Sequence, residues 1–134
     1  MIIKKKISFL SLLILCVTIF SCQSETEKKI SGVWCINKIY YNNNNIKFNF
    51  YSNILSFKDD HTCRFPSTIN GEDISGKWGV KKINDSIYVQ IHSNKQEFEG
   101  SFILEFISNN PLTITLQSKN TIMNCSKMGI GNDQ

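Results

Sequence analysis

Ile87, Val89 and Ile91 alternate with Tyr88, Gln90 and His92, and the same period of two returns in Ile46-Phe48-Phe50, Phe102-Leu104-Phe106 and Leu112-Ile114-Leu116. A period of two lines up every second side chain on one face of an extended strand, whereas a helix needs apolar positions three and four apart. No stretch after residue 30 carries the helical stripe. Asn42 to Asn45, Lys58-Asp59-Asp60-His61, Asn70-Gly71-Glu72-Asp73, Asn84-Asp85, Ser93-Asn94-Lys95 and Asn109-Asn110-Pro111 punctuate these runs with turn chemistry. Composition pushes the same way: the chain contains no alanine, the best helix former, and is rich in β-branched and aromatic residues. The pattern predicts strands over 31–41, 46–51, 53–58, 62–67, 74–83, 86–92, 97–107, 111–118 and 121–127. Units of about 8–12 residues indicate an antiparallel sandwich or barrel, and closure removes the edges a meander would expose. The expected fold is all-β: a small antiparallel up-and-down barrel of eight or nine short strands.

The first 22 residues carry an address. Met1 to Lys6 is a short basic segment, and Ile7 to Phe20 is an uncharged, mostly apolar run. That run is shorter than the roughly 20 residues needed to span a bilayer, which argues for a cleaved secretory leader. Ile19-Phe20-Ser21-Cys22 resembles the lipobox of bacterial lipoproteins, with Phe20 in place of the usual smaller residue. The resemblance implies that Cys22 becomes the new N-terminus and carries a diacylglyceryl thioether, with an N-acyl chain such as palmitate. At about 0.8 kcal/mol per buried CH₂, two or three such chains anchor the protein permanently. Gln23 stands where an Asp retains Gram-negative lipoproteins at the inner membrane, so the implied location is the outer membrane, on its periplasmic face or at the cell surface. Removing residues 1–21 takes Lys4, Lys5 and Lys6 from 15 basic residues and nothing from 11 acidic ones. What remains is nearly neutral, with no basic patch for nucleic acid. The expected organisation is a signal peptide over 1–21, a lipidated flexible tether over 22–29, one barrel domain over 30–128 and a C-terminal tail over 129–134.

One motif occurs twice. Ile30-Ser31-Gly32-Val33-Trp34 and Ile74-Ser75-Gly76-Lys77-Trp78 share Ile-Ser-Gly-x-Trp. A Gly-x-Trp at the head of a first strand, followed by a long meander of hairpins, resembles the lipocalin signature. The second Gly-Lys-Trp, the strand-turn-strand Ile54 to Thr62 before it and Asn84 to Val89 after it resemble the lipocalin-like domains of Bacteroidetes lipoproteins. The resemblance covers residues 30–128. It implies a barrel in which Trp34 and Trp78 plug strand entries, with glycine permitting a bend beside each. Animal lipocalins set an Arg across the first Trp, whereas the single Arg here is Arg64, mid-chain, leaving Lys127 as the available cation.

Candidate chemistry is sparse. With Cys16 removed and Cys22 lipidated, Cys35, Cys63 and Cys125 remain. In a closed meander the first and last strands are neighbours, so Cys35 and Cys125 form the candidate disulfide, against three reduced, buried thiols. Neither a base nor an electropositive setting marks a catalytic thiol. Asp59-Asp60-His61-Thr62-Cys63 collects metal-ligand types but reads first as a turn, so no metal and no other cofactor is expected. His92 is expected on the solvent face, and Glu97, Glu99 and Glu105 lack the cleft that a glycosidase pair requires. No residue is assigned a catalytic role.

The functional expectation is a non-enzymatic, membrane-anchored lipoprotein, binding a small apolar molecule or serving a cell-envelope role. Trp34, Phe48, Phe50, Phe57, Trp78, Phe102 and Phe106 would line a cavity or fill the core. The second reading is a protein-interaction module (an inhibitor, immunity protein or surface-complex subunit) with a filled barrel. Its binding surface would be the loops Asn42–Asn45 and Ile69–Asp73, or exterior Tyr40, Tyr51 and Tyr88.

Overall fold

The computed structural model describes residues 24–129. The leader, Cys22 and residues 130–134 lie outside the described residues. Nine antiparallel strands follow in chain order: β1 (Gly32–Tyr41), β2 (Asn44–Asn45), β3 (Ile54–Phe57), β4 (Thr62–Phe65), β5 (Ile74–Ile83), β6 (Ser86–Ser93), β7 (Gly100–Asn109), β8 (Leu112–Gln117) and β9 (Thr121–Lys127). Each pairs with its neighbour, except that β2 is a two-residue appendage on β1 and β3 pairs directly with β1. The β1–β9 ladder runs from Trp34 opposite Lys127 to Tyr41 opposite Thr121 and closes an eight-stranded barrel. The wall is uneven, because β1, β5 and β7 have ten residues each while β3 and β4 have four. At about 3.4 Å per residue the long strands overreach the short ones by several turns of the chain's pleat.

Turn residues do the work expected of them. Asn42 and Asn43 both hold positive φ (50° and 67°), as a two-residue hairpin between β1 and β2 requires, and Asn tolerates that region best after glycine. Asn84 (φ 54°) opens the β5–β6 turn in the same way. Between Ile36 and Lys38 the β1–β9 register slips by one residue. The bulge at Asn37 leaves Lys38 outside and brings Ile39 inside with Ile36, which strict alternation would forbid. Asn37 Nδ2 holds it by donating to Asn124 Oδ1 at 2.9 Å and Ser126 Oγ at 2.8 Å.

Two expected segments are corrected. Residues 46–51 are not a strand: Lys47–Asn49 is a 3₁₀ turn, and pairing is limited to one bridge between Phe50 and Thr68. Only the first residues of β1, Gly32 to Cys35, face β3. The chain leaving β2 must therefore travel back across a barrel mouth, and it covers that mouth with Ile46 and Phe50 while Phe48 points to solvent. Residues 25–29 are not a loose tether. Glu25–Ile30 forms a short helix, α1, with Ser24 as N-cap accepting from Glu27 N, acids in its first turn and Lys28 and Lys29 in its last. Six residues are too few to hold a helix alone; Ile30, fully buried in the other mouth, supplies what propensity does not.

The interior is continuous and apolar. Ile36, Ile39, Leu55, Cys63, Ile74, Val89, Ile91, Phe102, Leu104, Ile114, Leu116, Met123 and Cys125 fill it from every strand of the closed wall, and the buried Thr121 hydroxyl donates to Glu97 O at 2.8 Å. Each Leu, Ile or Phe so buried contributes about 1.5–3 kcal/mol. We call the mouth covered by α1 the near pole and the opposite mouth the far pole.

Candidate functional site

The two Ile-Ser-Gly-x-Trp copies both set a tryptophan toward the near pole, the second after starting opposite Phe65 at the other end, and their glycines do different local jobs. Gly32 holds φ 132°, a backbone region closed to other residues, at the exit from α1. Gly76 has an ordinary backbone, but a methyl there would collide with the carbonyl of His92 across the β5–β6 pair. Both tryptophans are buried and both satisfy their indole N–H on a backbone carbonyl: Trp34 on Ile30 at 2.7 Å, Trp78 on Lys58 at 2.9 Å. Lys127 Nζ stands 5.8 Å from the Trp34 ring and donates to Lys29 O at 2.8 Å, so a lysine covers the indole and ties down the helix end together. His61 Nε2 lies 2.6 Å from Glu27 Oε1 and its ring 5.7 Å from Trp78, clasping α1 to the β3–β4 turn.

The far pole is closed by aromatic rings. Phe98, from a 3₁₀ turn over Gln96–Phe98, stacks on Phe65 at 4.2 Å and packs against Phe50 at 5.5 Å. Phe65 and Phe98 are not among the aromatics expected from sequence; the signal that marks them is local, since Phe65 follows exposed Arg64 and Phe98 lies between the polar Glu97 and Glu99. Of the seven aromatics named from sequence, Trp34, Phe50, Phe57, Trp78 and Phe102 are buried. Phe48 is 79% exposed, displaced by the 3₁₀ turn, and Phe106 is 39% exposed beyond the last rung of the β6–β7 ladder, with Lys29 Nζ 5.3 Å from its ring.

Concavities lie outside the barrel axis. One of about 610 Å³ is a shallow groove between α1 and the β3–β4 turn. Others of about 410, 290, 250 and 220 Å³ sit on the rims and wall. None of these five is lined by Leu55, Val89, Phe102, Leu104, Leu116 or Met123, the side chains of the barrel's middle.

The candidate disulfide does not form: Cys35, Cys63 and Cys125 are free. The strands are neighbours as expected, but Cys125 stands opposite Ile36 and Cys35 opposite Ser126. That offset of one residue sends Cys125 inward and Cys35 outward, where its sulfur accepts from Asn53 Nδ2 at 3.0 Å. Burial pushes the Cys63 and Cys125 thiols up to about 12, the direction that makes a thiol inert. Asp60 accepts from both the hydroxyl (2.6 Å) and backbone N–H (3.0 Å) of Thr62, bonds that hold its carboxyl below the usual range. Asp59 to Thr62 is thus a turn, and among the described residues no three His, Cys, Asp or Glu side chains converge as metal ligands. His92 is exposed, with Nδ1 3.2 Å from Glu99 Oε2.

What the far pole offers is surface. Tyr51 N donates to Ser67 O at 2.7 Å and Ile69 N to Asn49 O at 3.0 Å, binding the 46–53 crossing to the β4–β5 loop. Glu72 N donates to Thr68 Oγ1 and Gly71 turns the loop back with φ 84°. On this braced frame Phe48, Tyr51 (77% exposed) and Ile69 (59%) stand in solvent, beside the Asn42–Asn45 hairpin that Asn42 N joins to Asn120 O at 2.8 Å. Tyr40, opposite Asn45 at the base of that hairpin, and Tyr88 face the outer wall: cross-strand partners run Tyr88–Ile103–Gln117–Ile122–Tyr40 around half the barrel.

No protein-family model matches the chain, and neither does a curated protein or a solved structure.

Proposed function

We propose that this protein is a non-enzymatic, lipid-anchored module of the cell envelope that works through its outer surface, binding a protein partner at the far pole. The observation that carries this reading is the filled interior. A ligand site for a small apolar molecule is an enclosed pocket of about 300–1,000 Å³, and here Phe102, Leu104, Leu116 and Met123 occupy the space where one would lie. Of the two expectations from sequence, the interaction module is the one that a solid barrel supports. Exposed aromatic side chains on a braced backbone are what a partner-binding patch needs, because little ordering entropy remains to be lost. The lipobox-like Ile19 to Cys22 supports the anchor, and Gln23 supports the outer membrane over the inner.

Two experiments weigh the alternatives. A photo-crosslinking amino acid at Phe48 in intact cells is expected to yield one discrete protein adduct, lost in a Tyr51→Asp, Ile69→Asp background. An apolar fluorescent probe is expected to find no saturable site. Saturable uptake displaced by fatty acid would return the barrel to the carrier reading.

A further inference from the structure

The near pole carries an apolar rim that the fold does not use. Val33 follows the first residue of β1, Ile83 ends β5, Phe106 and Ile107 lie at the end of β7, and Met128 follows β9; all five are exposed. Met128 N donates to Val33 O at 2.9 Å, so these two sit side by side. Between them and the β7–β8 turn at Pro111 and Leu112 runs a concavity of about 410 Å³. The β6–β7 ladder stops at Tyr88 opposite Ile103, yet β7 continues to Asn109 and β5 with β6 to the Ile83–Ser86 turn. Two hairpin tips therefore project past the β6–β7 ladder, bearing Ile83 on one and Ile107 and Pro111 on the other, with Phe106 at the base of the second, opposite the buried Ile114. Lys29, Lys82 and Lys127 flank them, with Asp85 on the first tip and Glu25, Asp59 and Asp60 on the α1 side of the pole. The interior is apolar, and the outer wall mixes Ile54, Ile103 and Ile122 with Lys38, Arg64, Gln90 and Glu105, unlike the polar lumen and continuous apolar band of a membrane-spanning barrel, so a lipid surface would meet this protein at a rim and not along its side.

The length of chain outside the structure chooses the occupant. Ser24 caps α1, and Cys22 is two residues before it, at most about 7 Å of extended chain. α1 is itself clamped across the near pole through Ile30, Glu27 and the Trp34 indole. If Cys22 is acylated, the near pole has almost no freedom to leave the bilayer. We infer that the rim of Val33, Ile83, Phe106, Ile107 and Met128 is a lipid-contact surface, seated in the bilayer interface beside the acyl anchor. This rests on the lipid-anchor reading proposed above. Apolar side chains at a rim with lysines beside them suit the headgroup–acyl boundary, and seating this pole turns Phe48, Tyr51 and Ile69 away from the membrane. The short helix sets the orientation; a flexible tether of the same residues would not.

The test uses the acylated full chain in phosphatidylethanolamine–phosphatidylglycerol vesicles containing bromoacyl phosphatidylcholine. Ile107→Trp and Ile83→Trp report the rim and Phe48→Trp the far pole, against the buried Trp34 and Trp78. Bromolipid is expected to quench and blue-shift the two rim reporters and spare the far one, with aqueous iodide doing the opposite. Rim reporters that iodide quenches and bromolipid does not, or equal bromolipid quenching at all three positions, would overturn the docking while the anchor stands. A chain that fails to float with vesicles and whose Cys22 has no acyl mass overturns the anchor itself, and this proposal with it.

Discussion

Single residues differ in why they are needed, even when the motif around them repeats. Gly76 is glycine because its neighbour's backbone occupies the space of a side chain, whereas Gly79, on the same strand, has nothing within 4 Å of an added methyl. Gly76→Ala should destabilise the fold by about 1–3 kcal/mol through overpacking against a carbonyl that cannot swing away; Gly79→Ala should be close to neutral, both read from urea unfolding. The buried thiols give a second prediction. Cys63 and Cys125 rise from an ordinary 9.0 to about 12 on folding, so the folded state holds two protons that the unfolded chain releases above pH 9. Their contribution is fully present below pH 9 and is lost as pH rises toward 12. Cys125→Ala should lose less stability over that interval than the parent, and iodoacetamide at pH 8 should modify only Cys35 until the protein unfolds. Alternation marked Phe57 and Phe102, and the Gly-x-Trp resemblance Trp34 and Trp78, as lining a cavity or filling the core; all four are buried. Alternation failed at Phe48, where a 3₁₀ turn resets the phase, and at Cys35, where pairing partners are set by a register that no local pattern encodes.

Elements show the same division. Most strands follow from period and punctuation, since a period of two fits no other regular structure and Asn-rich turns accept positive φ. α1 does not: Glu25 to Ile30 contains a single apolar residue, and its helix exists because a barrel mouth is there to receive Ile30. Ile30→Ala should therefore cost about 2–5 kcal/mol, the range for a large-to-small change in a core. Glu27→Gln, which weakens a half-exposed clasp to His61, should cost no more than about 1 kcal/mol. Circular dichroism and urea unfolding together distinguish loss of the helix from loss of the barrel. The Asn37 bulge belongs with α1, because its need arises only when β1 must present Ile36 and Ile39 to one interior while laddering to β9.

For the molecule as a whole, the β1–β9 seam decides both stability and what the protein is able to do. Amides of β1 and β9, laddered along seven rungs inside the closed wall, should be among the last to exchange with deuterium. Those of β2, a two-residue strand held by two rungs at the edge of the wall, should be among the first. A closed wall of uneven height leaves the chain with two dissimilar ends: a near pole plugged by two tryptophans and a helix, and a far pole plugged by stacked phenylalanines and crowned with Phe48, Tyr51 and Ile69. By itself the sequence determined the strand class, the turns, the barrel and most of its core, because those follow from local backbone preference and a two-residue period. Whether that barrel is hollow, which thiols face each other and which aromatics face water were decided only by the tertiary structure. Those properties depend on register across distant strands and on the volume left once every strand has delivered its side chains to one shared interior.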